Sequence, residues 1–510
     1  MKPTYYITTP IYYVNGAPHI GHAYTSIAAD VLARFKRLDG YDVFFLTGTD
    51  EHGQKVEAAA RAAGLDTQAY TDKISQDFRD MSDAMGVSYD DWIRTTEQRH
   101  KDSCAALWKK IEASGDIYLG HYEGWYAVRD EAFYDESELK TNDAGVKVAP
   151  SGAPVEWVRE PSYFFKLSAW QDRLLQFYEE HPEFIAPSSR KSEVLSFVKG
   201  GLHDLSVSRT TFNWGIPVPD APGHVMYVWL DALTNYITAA GFPNENADKW
   251  KFWPADVHFV GKDIIRFHAV YWPAFLMSAG IAPPTRISSH GWWVVDGEKM
   301  SKSLGNVVEP RALAKTFGLD QIRYFLLREK PFGADGSLNH QAIISRMNVE
   351  LANDLGNLAQ RSLSLIAKNL GGVLPARGPA TEDDIALLDA ANALPDMVRA
   401  RMEQQTFHEA LEDIWKVIRA ANSYIDRQAP WALRKTDPER MAVVLRVLVD
   451  TMRVVATLLQ PFMPESIAKM LDQLGVPGEA RTLAALAVPL ADGTVLPAPQ
   501  GVFPRYVEPV

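Results

Sequence analysis

The stretch that decides the fold is "PIYYVNGAPHIGHAYTSIAADVLARFKRLDG", Pro10 to Gly40. Its apolar positions Ile27, Val31, Phe35 and Leu38 recur at helical spacing. Gly40 stands where a helix end favours a residue tolerant of positive φ. Upstream, "YYITTPIYYV" is rich in β-branched and aromatic residues and predicts a strand. His19-Ile20-Gly21-His22 therefore lies in a strand-to-helix turn, where backbone N–H groups and the positive end of the helix dipole face a guest. An anion suits that position.

Working outward, "DVFFLTGT" is almost continuously apolar, the pattern of a strand buried on both faces. It ends in "DEHG", which puts Asp50, Glu51 and His52 at the strand's carboxyl end, the ligand edge of an open parallel sheet. Between residues 116 and 215 the character changes to short aromatic strands ("EGWYAV", "VEWVRE") and turn chemistry at Asn142–Gly145, the mark of a β-rich insertion. The α/β pattern then resumes. "HVMYVWLDALTNYITAAG" and "DVHFVGKDIIRFHAVYWPAFLMSAG" each predict a strand running into a helix, and "RISSHGWWVVDG" predicts a strand leading into "EKMSKSLGN". Past about Ser345 two stripes dominate: Phe407, Leu411, Ile414, Ile418, Ala421, Ile425, and Met441, Leu445, Leu448, Met452, Val455, Leu459, Phe462. These are the facing sides of an antiparallel helix bundle.

The expected architecture is thus α/β: a parallel-sheet, Rossmann-like domain with a small inserted β-rich domain, followed by an all-α bundle. Its expected segments are 1–115 and 216–287 for the two halves of the sheet domain, 116–215 for the insertion, 288–345 for the lysine loop and linking segment, and 346–510 for the helices.

A chain of 510 residues is too long for one core. Hydrophobic residues at 46% and charged residues at 23% describe a folded protein rather than a disordered one. The net charge of −12 argues against a general polyanion binder, while leaving room for a specific RNA partner docked on a local basic patch. Cys104 is the single cysteine, so intrachain disulfides and multi-cysteine zinc knuckles are excluded. It shares a helical side with Leu107, Trp108 and Ile111, the setting of a buried structural thiol. "MKPTYYITTP" lacks the layout of a signal peptide, and no apolar run reaches the roughly 18 residues of a membrane span. A cytoplasmic protein is expected.

Read alone, "HIGH" also fits a turn with two structural histidines, and "KMSKS" (Lys299 to Ser303) also fits a solvated basic loop. Their order changes this reading, one at the first strand-helix junction and the other after the last strand of the sheet. Together they resemble the signature of class I aminoacyl-tRNA synthetases. "PIYYVNGAPHIGH", "TGTDEHG", "VWLDALTNY", "FVGKDIIRFH" and "EKMSKSLGN" are similar, in order, to the blocks of the methionyl-tRNA synthetase family, and "NLAQR" and "QAPW" extend the resemblance towards the C-terminus.

The resemblance implies joining of methionine to the α-phosphate of ATP, departure of pyrophosphate, and transfer to the terminal adenosine of tRNA(Met), initiator and elongator. His19, His22, Lys299 and Lys302 would be the catalytic set, with Gly21 leaving room for adenine and with Gly261 and Asp263 at the ribose or adenine. Magnesium would arrive with ATP, held more by its phosphates than by a protein cage. Asp50 would pair with the substrate ammonium; the alternative is a helix-capping aspartate. Ile11, Tyr13, Trp229, Ala232, Tyr236, Ile264 and His268 would surround the thioether, a polarizable group suited to aromatic neighbours. By periodicity alone, Trp229 and Tyr236 are core residues and Asp263 a helix N-cap. Asn357, Arg361 and Trp431 would read the anticodon, with Trp431 as a buried core aromatic the alternative.

The chain departs from the family in the insertion, where many members hold zinc with two CxxC pairs. Ala127 and Asp130 stand at the first pair, and Ala149 and Ser151 near the second. No structural zinc is expected. The chain stops at "VFPRYVEPV" without an appended RNA-binding module, so a monomer is expected. Synthetases for isoleucine, valine and leucine carry a larger insertion than 116–215, and the cysteinyl enzyme needs cysteine ligands that are absent here. A tRNA-binding relative without activity would be expected to lose Asp50, the histidines or the lysines, and all are present.

Overall fold

The computed structural model describes residues 2–130, 132–295, 298–300 and 306–508. The first strand, β1 (Thr4–Thr8), is buried along most of its length. The strand expected to continue through Val14 is broken: Pro10 has no N–H to give to a ladder, and pairing resumes only at β2 (Tyr12–Tyr13). Helix α1 (Ile20–Leu38) follows and ends at Asp39 and Gly40, the latter at φ +90. The next strand, β3 (Asp42–Asp50), pairs in parallel with β1 from Thr4↔Asp42 to Thr8↔Leu46, and with β2 at Tyr12↔Thr49 and Tyr13↔Asp50. β1 and β2 thus line the same side of β3 as two pieces.

After helices α2 (Gln54–Ala62) and α3 (Thr67–Ala84), strand β4 (Asp91–Arg94) joins the other side of β3, and α4 (Gln98–Ala113) closes the first half. Among the described residues seven strands form the sheet, all parallel. Its order runs Ile185–Ala186, Ile287–His290, Val257–Gly261, β1 and β3, with β2 and β4 attached to β3. The connections therefore reverse direction at β1, which places a crevice at the carboxyl ends of β1 and Val257–Gly261.

Two sequence expectations are corrected here. The stretch 116–215 is not wholly an insertion: Ile185 pairs with Ile287 and rejoins the main sheet, while Leu174 and Tyr178 pack into the same core. The rest of that stretch holds an antiparallel sheet built on the long pairing of Ile117–Ala127 with Glu156–Phe165. Also, the strand in "HVMYVW" (Val225–Met226) belongs to a separate hairpin with Ser208–Arg209, because it is only two residues long and faces that partner.

The helical half meets its expectation. Both stripes lie in helices, Phe407–Gln428 and Pro438–Leu459, except Phe462, which falls in the turn after the second, and their apolar positions are buried. These helices pack with Glu382–Glu403, which carries Pro395 within it. The two halves are joined by a buried ion pair. Arg323 and Asp30 of α1 are both fully buried and 2.6 Å apart, and Arg323 also donates to the carbonyls of Met85, Pro461 and Phe462.

Candidate active site

The histidine turn begins α1. His19 is the N-cap, and its Nδ1 accepts from the Gly21 N–H at 3.1 Å, while the His19 N–H donates to His22 Nδ1 at 3.1 Å. Two of the helix's orphan donors are thereby satisfied by imidazoles. The consequence is chemical: with both Nδ1 atoms accepting, each neutral ring carries its proton on Nε2. The rings lie 3.8 Å apart. A Cβ on Gly21 would come within 2.8 Å of the His19 ring, so glycine is required there by the cap itself. Its reading as space for adenine is not needed to explain it.

The downstream flank of the lysine loop reaches the same place. Trp293–Val295 pairs with Glu298–Lys299 in a hairpin and with Gly336–Ser337 on its other edge. Lys302 and the side chain of Lys299 lie outside the described residues. Downstream of the loop, the Val308 carbonyl accepts from the Ile20 N–H at 3.0 Å, inside the histidine turn. Met300 and Val308 pack against the core cluster that contains Ile20. The downstream flank of the loop therefore sits at the foot of α1.

On the other side of the crevice an aromatic pocket is assembled from separate elements. Trp229 and Ala232 lie on the short helix Val228–Leu233, Tyr236 on Asn235–Ala240, and His268 in a π-helical turn, Phe267–Tyr271. Trp229 stacks on Phe267 at 3.7 Å and meets His268 edge-on at 6.2 Å. His268 Nδ1 donates to the Ile264 carbonyl at 2.9 Å, which leaves Nε2 to accept from the Tyr236 hydroxyl at 2.8 Å. Burial pushes the His268 pKa down to about 4, so the ring is neutral at physiological pH. Ile11 borders this cluster, and Tyr13 packs in the small core beyond β2. The result is a wall of apolar rings without a formal charge, suited to a thioether. Phe267 escaped the sequence reading although it stands beside His268 in the quoted block.

Asp50 ends β3, 7% exposed, in register with Tyr13. It is not a helix cap: the N-cap of α2 is Gly53, and no side chain caps that helix. Beside it Glu51 is fixed by Arg94 (2.7 and 3.0 Å), Thr49 and Thr96. His52 turns away to Asp231 at 2.7 Å. Arg94 carries no sequence signal for this role, since β4 is brought to Glu51 only by the sheet.

At the neighbouring strand end, Gly261 is the N-cap of the short turn Lys262–Ile264, so Asp263 is not that cap. A Cβ on Gly261 would lie 2.6 Å from Asp263 Oδ1. The Trp292 indole donates to Asp263 at 3.2 Å, and Lys262 lies 4.0 Å over that indole and 2.6 Å from Asp335. These polar groups gather at the carboxyl end of the strand Val257–Gly261.

In the helical half Asn357 opens the helix Asn357–Asn369 and is exposed, with Arg361 one turn on. Trp431 is 42% exposed, and the Arg361 guanidinium lies 5.2 Å from its ring centre. Arg361 is held by Asp426 at 2.7 Å. The buried-aromatic alternative for Trp431 is overturned, and an open indole beside a guanidinium is a stacking platform.

Where relatives were expected to hold zinc, Ala127 and Ala149 are buried with Ala153 under Tyr134 and Val155. Asp130 accepts from Ser151 and from Tyr134. Two methyl groups, a carboxylate and a hydroxyl do not make a tetrahedral zinc site. Cys104 is fully buried, and burial pushes its thiol well up, away from nucleophilic chemistry. No described helix is long and apolar enough to cross a membrane.

A parallel sheet with a histidine turn at its first helix, and the downstream flank of a late lysine loop hydrogen-bonded to that turn, is the catalytic frame of a class I tRNA synthetase. Residues 5–363 match the family described as tRNA synthetases class I (M), and residues 374–508 match the anticodon binding domain of methionyl tRNA ligase. The chain is 60% identical over 509 residues to the methionine–tRNA ligase of Mesorhizobium japonicum, covering 99% of this chain and 98% of that one. The enzyme of the same name from Brucella suis is 57% identical over 99% of both chains. The structure of Mycobacterium tuberculosis methionyl-tRNA synthetase in complex with methionyl-adenylate superposes with a TM-score of 0.97 at 55% identity, covering 99% of this chain and 100% of that one. The chain belongs to the methionine–tRNA ligase family of class I synthetases.

Proposed function

We propose that the crevice binds methionine and ATP side by side and that the chain then works in two steps. The methionine carboxylate first attacks the α-phosphate of ATP and expels pyrophosphate. The methionyl group then passes to the 2′-hydroxyl of the terminal adenosine of tRNA(Met), initiator or elongator, as the acyl–phosphate bond breaks and AMP leaves.

Little covalent work falls to the protein in such a transfer; positioning and charge neutralisation dominate. His19 and His22 offer Nε2–H donors to phosphate oxygens, in a tautomer set by the helix cap. Lys299 and Lys302 neutralise the departing β- and γ-phosphates. Magnesium enters with ATP, carried by its phosphates. Gly261 and Asp263 take the ribose or adenine. Asp50 pairs with the ammonium, and the neutral rings of Trp229, Tyr236 and His268, with Ile11, Tyr13, Ala232 and Ile264, receive the thioether. Asn357, Arg361 and Trp431 take the anticodon, about half the chain away in sequence. The inserted knuckle is held by its apolar plug and carries no zinc; stoichiometric zinc in the purified protein would overturn this. The protein acts as a cytoplasmic monomer.

One observation carries the proposal: the hydrogen bond from Ile20 to Val308, which brings the downstream flank of the lysine loop onto the histidine turn. The experiment is exchange of labelled pyrophosphate into ATP, run with each amino acid in turn. Methionine alone is expected to support exchange. No exchange with any amino acid would favour a tRNA-binding relative without activity.

A further inference from the structure

Behind the aromatic pocket lies a polar cluster that none of the roles above uses. Asp231 is fully buried between Trp229 and Ala232 in sequence. Its Oδ2 accepts from His52 Nδ1 at 2.7 Å and its Oδ1 from His100 Nε2 at 2.8 Å. His52 stands two residues after Asp50 and is braced edge-on by Trp214 at 5.8 Å. That indole in turn donates to the Glu51 carbonyl at 2.6 Å. His100 is fully buried on α4, with Cys104 Sγ at 3.3 Å. Burial alone would raise the Asp231 carboxyl; His52 and His100 outweigh it and hold it down at about 2.

A carboxylate without access to water is an expensive way to gain stability, and apolar replacements for such groups are often neutral or better. What it gives is one fixed geometry. Here the geometry joins three elements: the end of β3 bearing Asp50, the helix Val228–Leu233 bearing Trp229 and Ala232, and α4. We propose that Asp231 is a positioning residue for the amino-acid substrate, locking the ammonium anchor on β3 to the thioether wall through His52.

This rests on the assignment of Asp50, Trp229 and Ala232 to methionine. The lock sets the distance between two subsites engaged by opposite ends of one small molecule. Loosening it therefore weakens capture of methionine, while the ATP side, built on α1 and the lysine hairpin, is left in place. A side chain that serves only folding would instead lower the active fraction and reduce kcat, with both KM values unmoved.

The test is pyrophosphate exchange at varied methionine and varied ATP, on the full chain, with Asp231→Asn, His52→Ala, His52→Asn and Asp50→Asn. The asparagine amide at 52 can stand in for Nδ1–H; alanine cannot. Asp231→Asn and His52→Ala are expected to raise KM for methionine about tenfold, with KM for ATP within about twofold, and His52→Asn to restore most of the loss. Equal values for the two His52 variants, or a fall in kcat alone, would overturn the lock. If Asp231→Asn does not fold, the two His52 variants decide the matter alone. Asp50→Asn separates the two layers. If it leaves KM for methionine unchanged, the assignment of the ammonium site is wrong; if it raises KM while the Asp231 and His52 variants do not, only the lock is wrong.

Discussion

Lys330 is a buried cation beneath the strand that leads into the lysine loop, and replacing it with methionine isolates what that burial costs. The side chain is 6% exposed, donates to the Tyr24 hydroxyl at 3.0 Å and the Ala334 carbonyl at 2.7 Å, and lies over the Tyr24 and Trp293 rings. Burial pushes its pKa from 10.5 down to about 7; Asp335 opposes this and Lys262 adds to it. The folded chain therefore gives up this proton near pH 7, while the unfolded chain keeps it to above pH 10. Stability must rise with pH across that window, because there the unfolded state binds more protons. At about 1.4 kcal/mol per pH unit, the full penalty below pH 7 is roughly 5 kcal/mol, of which about 2 kcal/mol is relieved between pH 7 and 9. Lys330→Met keeps the stem that packs on Gly336 and has no proton to lose. Its lost hydrogen bonds change the offset between the two proteins but not the slope. Urea unfolding at pH 7, 8 and 9 should show the advantage of the methionine variant over the parent shrinking by about 2 kcal/mol. A difference that stays constant over that range would refute the reasoning.

The other predictions concern named contacts. Lys302→Ala should slow adenylate formation by two or more orders of magnitude while changing KM for methionine only slightly, because its contact strengthens as charge moves to the leaving pyrophosphate; stopped-flow activation kinetics measure both. Trp431→Ala should lower kcat/KM for tRNA in aminoacylation about 10- to 100-fold, the worth of a lost base stack, with tRNA-free pyrophosphate exchange unchanged. Arg323→Leu strands a buried Asp30 and should cost about 3–5 kcal/mol in urea unfolding. Burial acts to raise the Asp30 carboxyl, but Arg323 and Arg34 outweigh it and hold it below the usual carboxylate range. The parent therefore loses this contribution as the pH falls through the acid range, and the variant should show a weaker acid dependence.

How much was legible follows the physics of each element. The helix stripes at Phe407–Ile425 and Met441–Phe462 could be read because burial on one face of a long helix forces a repeat in sequence. The turn at His19–His22 could be placed because the strand ahead of it and α1 after it are strongly patterned. The break at Pro10 was missed, although proline's missing N–H announces it, because the aromatic residues on both sides carry one β signal. Ile185–Ala186 was missed because two residues of strand carry no period at all. Within the site, Trp229, Tyr236 and His268 follow from the family blocks, whereas periodicity alone makes Trp229 and Tyr236 core residues. Phe267, Arg94 and the cluster of Asp231, His52 and His100 depend on contacts between distant segments, such as the 131 residues separating His100 from Asp231. No local pattern encodes those.

The central claim is that the turn at the foot of α1 and the late lysine hairpin grip one triphosphate. The most direct test is a double-mutant cycle with His22→Ala and Lys302→Ala, followed by single-turnover formation of methionyl-adenylate. Groups holding the two ends of one molecule fail together, so the double variant should be little slower than the slower single variant. Losses that multiply in the double variant would mean that the two segments act independently, and the account would fall.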